Sequence, residues 1–172
     1  MFRKTSLVFT LIALFVATTL SAQTAPKYGH MNLGNLLEEL PDTKKANDDL
    51  KAFTDKLTAK DDSLTKAFQA AYTVLEADYK RGDVPPVQLQ KRQEELQKQQ
   101  EFIQKFEQEA QQMVATKRQE LLEPILKKIT DTVKVVAKEA GYAMIFDTSS
   151  GVMLFATETE DVTALVKKKL GL

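Results

Sequence analysis

A five-residue breaker, Gly82-Asp83-Val84-Pro85-Pro86, separates two long stretches of equal length, and this mirror symmetry constrains the fold more than any other feature. Lys44 to Arg81 contains no Gly or Pro and is rich in Ala, Lys, Leu, Asp and Gln. Pro86 to Glu123 has the same length and a still stronger helix-forming composition. Equal helical arms about a turn predict an antiparallel hairpin, because only then do both apolar seams find partners along their whole length. At 1.5 Å per residue each arm would reach roughly 57 Å, more than the width of a compact domain of this size. Such an arm cannot be buried in its own core and must project.

The apolar spacing supports this. The first arm reads Leu50, Phe53, Leu57, a polar skip at Lys60/Asp61, then Leu64, Phe68, Tyr72, Leu75 and Tyr79. The second reads Leu89, Leu96, Ile103, Phe106, Ala110 and Met113. Steps of three, four and seven are those of a coiled-coil face. One apolar residue per turn zips two helices together but leaves no second face for a globular core.

The chain ends read differently. Arg3 and Lys4, the apolar run Leu7 to Val16 and the small residues up to Ala22 form a signal peptide over residues 1–22, cleaved after Ala22. The mature chain would run from Gln23 to Leu172, with 22 basic and 24 acidic side chains, a balance that excludes a general polybasic nucleic-acid binder. Tyr28 to Leu33 predicts a short strand with Met31 and Leu33 on one face. Asn35 to Leu40 predicts a short helix stopped by Pro41, with Asp42 or Thr43 capping the first arm. Pro124 predicts a kink or break near Glu123-Pro124, after which Ile125, Leu126, Ile129, Val133, Val136 and Ala137 continue the helical period to Gly141.

Beyond Gly141, Tyr142–Asp147, a turn at Thr148–Gly151 and Val152–Ala156 predict a β-hairpin, followed by a helix from Val162 to Leu170 capped by Asp161. Lys167, Lys168 and Lys169 complement the dipole at that helix's end, a structural rather than a phosphate-binding role. The fold class expected is therefore α+β and mostly α, a helical hairpin on a small β body. Three short strands leave exposed edges. Oligomerisation would close those edges and bury Tyr142, Met144, Phe146, Leu154 and Phe155.

Catalytic parts are missing. His30 is the sole histidine and there is no cysteine, so neither a metal-ligand set nor a nucleophile–base pair can be assembled from them. The six glycines are scattered, and no phosphate-cradling loop exists. Asp61-Asp62 and Glu94-Glu95 read as solvated helix faces. Neither an enzyme, a metal site nor a cofactor is expected.

The segments "YGHMNLGNLLEELPDTKKANDDL" and "ELLEPILKKITDTVKVVAKEAGYAMIFDTSSGVMLFATETEDVTALVKKKL" resemble the two ends of the OmpH/Skp family of periplasmic chaperones. The matching features are Pro41, Lys45 and Ala46 at the start of the first arm, then Pro124, Ile125, Ala137, Gly141, Tyr142 and the Asp161-Val162-Thr163 helix start. The resemblance implies a homotrimer with a pooled β body formed by residues 23–43 and 124–172, including Met31 and Leu33. Three hairpin tentacles, residues 44–123 with tips near 82–86, would surround a cavity. It implies an ATP-independent holdase in the periplasm, at most peripheral to a membrane, whose partners are unfolded outer-membrane proteins.

One departure matters. The best-known members are basic with cationic tips, whereas residues 76–95 here balance Lys80, Arg81, Lys91 and Arg92 against Glu76, Asp78, Asp83, Glu94 and Glu95. Client contact would then rest on apolar side chains, with Phe68, Tyr72, Tyr79, Val84 and Val87 as candidates. Seam packing is the first expectation for the three aromatics, and client contact for the two valines. The alternative is a structural or adaptor coiled coil of the envelope that binds one folded partner along its arms. A third reading is an outer-membrane-associated protein.

Overall fold

The computed structural model describes residues 25–172. The expected signal peptide and its cleavage site lie outside the described residues. The chain runs β1 (Lys27–Met31), α1 (Leu33–Glu39), α2 (Pro41–Arg81), α3 (Pro86–Ala140), β2 (Tyr142–Asp147), a 3-10 turn (Glu158–Glu160) and α4 (Thr163–Leu170). α2 and α3 form the hairpin, at 41 and 55 residues. They extend roughly 60 and 80 Å at the helical rise.

Breakers end each arm as their chemistry requires. Gly82 takes φ 72°, the left-handed region open to glycine, and its N–H returns to the Asp78 carbonyl at 3.2 Å. Pro86 then occupies the first position of α3, where its missing N–H would have had no helical partner. The same economy corrects the expectation at Pro41. Pro41 does not merely stop the short helix; it opens α2, and Leu40 rather than Asp42 or Thr43 is the N-cap residue.

Pro124 neither ends nor divides α3, which is continuous from Pro86 to Ala140. The break expected there is absent. Pro124 stands on an exposed face between Leu122 and Ile125, so the lost hydrogen bond opens toward water rather than into the core.

The seam of α2 runs through Leu50, Thr54, Leu57, Asp61, Leu64, Phe68, Ala71, Leu75 and Asp78, all buried or half-buried. These positions alternate steps of four and three without interruption, a heptad seam. Facing it on α3 are Leu89, Arg92, Leu96, Ile103, Phe106 and Ala110. The polar skip is thus filled rather than empty: Asp61 takes a seam position, and the Lys60 ammonium lies 5.0 Å from the centre of the Phe106 ring.

The body packs at the base of the arms. Met31, Leu36, Leu40, Ala46, Ile125, Ile129, Val136, Val162 and Val166 form one buried cluster. Leu33 and Tyr142 pack against it half-buried. Leu33 belongs to α1, not to the strand in which the alternating pattern placed it. Cross-element ion pairs staple the rim: Lys128 to Asp42 at 2.8 Å, Lys167 to Glu39 at 2.6 Å and Lys169 to Glu139 at 2.7 Å. Two of the three terminal lysines are therefore held by carboxylates of other helices.

β1 and β2 pair in parallel, from Lys27 beside Tyr142 to Met31 beside Asp147, and the whole hairpin serves as their crossover. The hairpin expected over 142–156 does not form: among the described residues Val152–Ala156 has no strand partner, and it is irregular. The turn residues are committed elsewhere. Thr148 donates its N–H to the Met31 carbonyl at 2.9 Å. Asp147 accepts from the N–H groups of Leu33 (3.1 Å) and Ser149 (2.9 Å). Farther on, His30 Nε2 lies 2.9 Å from the Thr157 carbonyl, and Val162 donates to the His30 carbonyl at 2.9 Å. These anchors carry the segment across to β1 instead of back along β2.

Candidate functional site

Two surfaces carry large apolar side chains that the other described residues leave uncovered. The first is on the body. Met144 and Phe146 of β2 and Tyr28 of β1 are exposed, with the Tyr28 and Phe146 rings 6.4 Å apart. Farther along the chain Leu154 and Phe155 are 95% and 83% exposed. Phe155 joins Tyr28, His30 and Phe146 in lining a recess of about 360 Å3. Isolated exposed apolar residues are ordinary, but a contiguous group of aromatic and aliphatic side chains marks a contact surface.

The residues expected in the oligomer body therefore fall into two sets. Met31, Leu33 and Tyr142 face the chain's own core. Met144, Phe146, Leu154 and Phe155 face outward.

The second surface is the distal arm. Tyr72 and Tyr79 were expected in the seam, yet Ala71 and Asp78 occupy those seam positions. The two tyrosines lie one residue outside it and are 56% and 53% exposed. Phe68 is half-buried, and its ring centre is 6.4 Å from that of Tyr72. Phe68, Tyr72 and Tyr79 line one groove with Gln93, Gln97 and Gln100 of α3. At the tip Val84 is half-buried and Val87 is exposed. The structure thus brings the three aromatics together and leaves the valines apart from them. The signal that separates Tyr72 and Tyr79 from the seam is the unbroken four–three spacing through Ala71 and Asp78.

The tip is closed electrostatically. Asp78 is buried in the seam, and its carboxylate meets the guanidinium groups of Arg81, one turn on, and Arg92, across on α3. Arg81 also reaches Asp83 at 3.3 Å. With Lys80 paired to Glu76 at 2.7 Å, three of the four cations near the tip are engaged by carboxylates of the same arm.

In the body, two carboxylates are held ionised. Partial burial acts to raise the Asp161 carboxyl, but the hydroxyl and N–H of Thr163 and the nearby His30 outweigh it and keep it below the ordinary aspartate range. Partial burial likewise opposes, and the N–H and hydroxyl of Ser149 and the N–H of Leu33 prevail, at Asp147. Asp147, the last residue of β2, caps the N–H of Leu33 at the start of α1. Asp161, just before the N-cap residue Val162, caps the N–H of Thr163 at the start of α4. A negative charge is favoured at both helix starts. Among the described residues there is no group of three His, Asp or Glu side chains that could hold a metal ion. No described helix is long and apolar enough to cross a membrane.

A hairpin of two long helices on a small parallel sheet can be compared with known proteins. The family model for outer membrane protein (OmpH-like) matches residues 27–170. The chain belongs to the OmpH-like family. Among solved structures, this OmpH-like chain is similar to a proposed outer membrane chaperone (OmpH-like) from Caulobacter crescentus CB15. The TM-score is 0.73 at 16% identity, over 87% of this chain and 86% of that one, a likeness of fold. None of the curated proteins matches the chain.

Proposed function

We propose that this OmpH-like protein is an ATP-independent periplasmic holdase that binds unfolded outer-membrane β-barrel proteins and prevents their aggregation. The observation that carries the reading is the separation of a projecting helical hairpin from a small body whose outward face is apolar. In this reading residues 23–43 and 124–172 form the oligomerisation body, and residues 44–123 form the arm with its tip near 82–86. Met144, Phe146, Leu154 and Phe155 meet neighbouring copies in a homotrimer, with Met31, Leu33 and Tyr142 supporting them from behind. Phe68, Tyr72, Tyr79, Val84 and Val87 contact the client. Several arms offering weak contacts to one flexible client give useful avidity without a deep pocket.

The near-balanced tip charge bears on how clients are captured. With Arg81 and Arg92 engaged by Asp78, the tip offers little net positive field to an anionic client or surface. Apolar contact carries the holding step instead. The test is the rapid dilution of a denatured barrel precursor into buffer with and without Gln23–Leu172. Suppressed light scattering without ATP is the expected result; unchanged scattering at a molar excess overturns the reading. Under the adaptor reading the arms would recognise one folded partner, and one or two point changes would abolish binding. A holdase tolerates most single changes because its contacts are diffuse.

A further inference from the structure

Beside the seam near the tip, α2 and α3 enclose a groove of about 610 Å3 whose two walls differ in chemistry. One wall is aromatic, with Phe68, Tyr72 and Tyr79; the other is an amide stripe, with Gln93, Gln97 and Gln100 at helical spacing. Among the described residues the one charged lining residue, Glu76, is paired with Lys80 at 2.7 Å. That hydrogen-bonded ammonium holds the Glu76 carboxyl below its usual range. Gln97 donates to Glu101 at 3.2 Å, while among the described residues Gln93 and Gln100 have no side-chain partner.

The geometry points to this groove as a subsite for an extended polypeptide segment that carries aromatic or large apolar side chains at alternate positions. The inference rests on the holdase reading and narrows it to a class of segment and a place on the arm. Two spacings on the arm favour this occupant. In an extended chain, side chains on one face recur about every 6.7 Å. The Phe68 and Tyr72 ring centres are 6.4 Å apart, so neighbouring same-face side chains can each meet a ring. The stripe from Phe68 to Tyr79 spans roughly 16 Å of helix, which accommodates about five extended residues.

The amide wall discriminates between occupants. An unpaired extended segment bears free backbone N–H and C=O groups, and glutamine amides can both donate to and accept from them. A third helix would meet the same aromatics, but its backbone is already hydrogen-bonded within itself and would leave the amides without that role. The absence of unpaired charge disfavours acidic or basic segments. An alternating apolar segment of low charge is the pattern of a membrane-barrel strand before it inserts.

The test is fluorescence anisotropy of the full mature chain with two labelled ten-residue peptides, one alternating Tyr with Thr and Ser, the other a heptad-patterned amphipathic helix former. The alternating peptide is expected to bind more tightly. Tyr72→Ser/Tyr79→Ser is expected to weaken it about tenfold, the worth of two lost aromatic contacts. Gln93→Ala/Gln97→Ala/Gln100→Ala, which leaves helix propensity intact, is expected to weaken it severalfold. Circular dichroism melts of both variants should match the parent, since the replaced side chains lie outside the seam. Preference for the helical peptide, or equal affinity in parent and variants, overturns the proposal. Precursor aggregation measured on the same preparations separates the two readings. Suppression retained by the parent with variant-insensitive peptide binding removes the groove alone. Loss of suppression with intact, variant-sensitive peptide binding removes the holdase reading alone.

Discussion

Asp78 of α2 lies buried in the arm seam at 3% exposure, and its carboxylate meets the guanidinium of Arg92 on α3. A polar pair at a seam position costs stability but fixes which residues face each other. Here it locks the two helices in register one turn before the chain reverses at Gly82. Arg81 shares the carboxylate from the same helix but is well exposed, so Arg92 is the partner that links the arms.

Removing Arg92 alone therefore leaves a buried carboxylate with only a solvent-exposed partner. Arg92→Ala is expected to destabilise the distal arm by about 1–3 kcal/mol, less than for breaking a fully buried pair, because Arg92 is itself partly exposed and Arg81 still reaches the carboxylate. Hydrogen exchange should accelerate on both sides of the tip and stay unchanged in the body. Replacing both partners by Asp78→Leu/Arg92→Met should restore protection to at least the parent level. A double variant as labile as the single one would show that the pair does not set the arm's stability.

Asp61 is the contrasting seam carboxylate. One of its oxygens is buried without a hydrogen-bond partner among the described residues. Asp61→Leu replaces it with the residue type that flanks it in the seam at Leu57 and Leu64. The melting temperature is expected to rise, corresponding to about 1–2 kcal/mol. A lowered melting temperature would mean that Asp61 has a favourable interaction in solution.

Gly29 of β1 is buried against Val162 and Tyr142. A Cβ added there would lie 2.9 Å from Val162 Cγ1 and 3.0 Å from Tyr142 Cε1, and both neighbours are packed side chains. Gly29→Ala should cost about 1–3 kcal/mol through overpacking. Differential scanning calorimetry of the variant checks this; an unchanged transition would mean that the body repacks freely.

Acid should loosen the body. The Asp147 and Asp161 carboxyls are depressed in the folded chain. Their stabilisation is complete above the unfolded aspartate value of about 4 and is lost as pH falls through the folded values. Between pH 6 and pH 2.5 the parent should lose melting temperature. Asp147→Asn/Asp161→Asn, which removes both titrations, should start lower at pH 6 and fall less. Parallel pH profiles would contradict the assignment.

The parts of this fold legible in sequence are those set by local chemistry. Gly82 and Pro86 announce the reversal, and the Gly- and Pro-free stretches announce the arms, since breakers and propensity act within a few residues. The seam's phase near the tip was not legible from apolar pattern alone. A reader of hydrophobicity follows Tyr72 and Tyr79, whereas packing selects the small Ala71 and the ion-paired Asp78. Pro41 reads as a stop because the same residue that ends one helix suits the first turn of the next.

The β body was less legible because its pairing is non-local. Val152 to Ala156 has the composition of a strand, yet whether it forms one depends on a partner edge. In this chain Thr148, His30 and Thr157 draw the segment toward β1. The apolar patch it leaves, with Leu154 and Phe155 outermost, follows from that route rather than from any motif.

The central claim is that this patch is an interface between copies, so that several arms act on one client. The direct measurement is the solution mass of Gln23–Leu172 by light scattering after size exclusion. It is paired with the variant Phe146→Ser/Leu154→Ser/Phe155→Ser, whose replaced side chains lie outside the core. The predicted result is three times the chain mass for the parent, eluting ahead of a compact particle of that mass, and a single chain mass for the variant. A parent that runs as a monomer, or a variant that keeps the parent's mass, would contradict it.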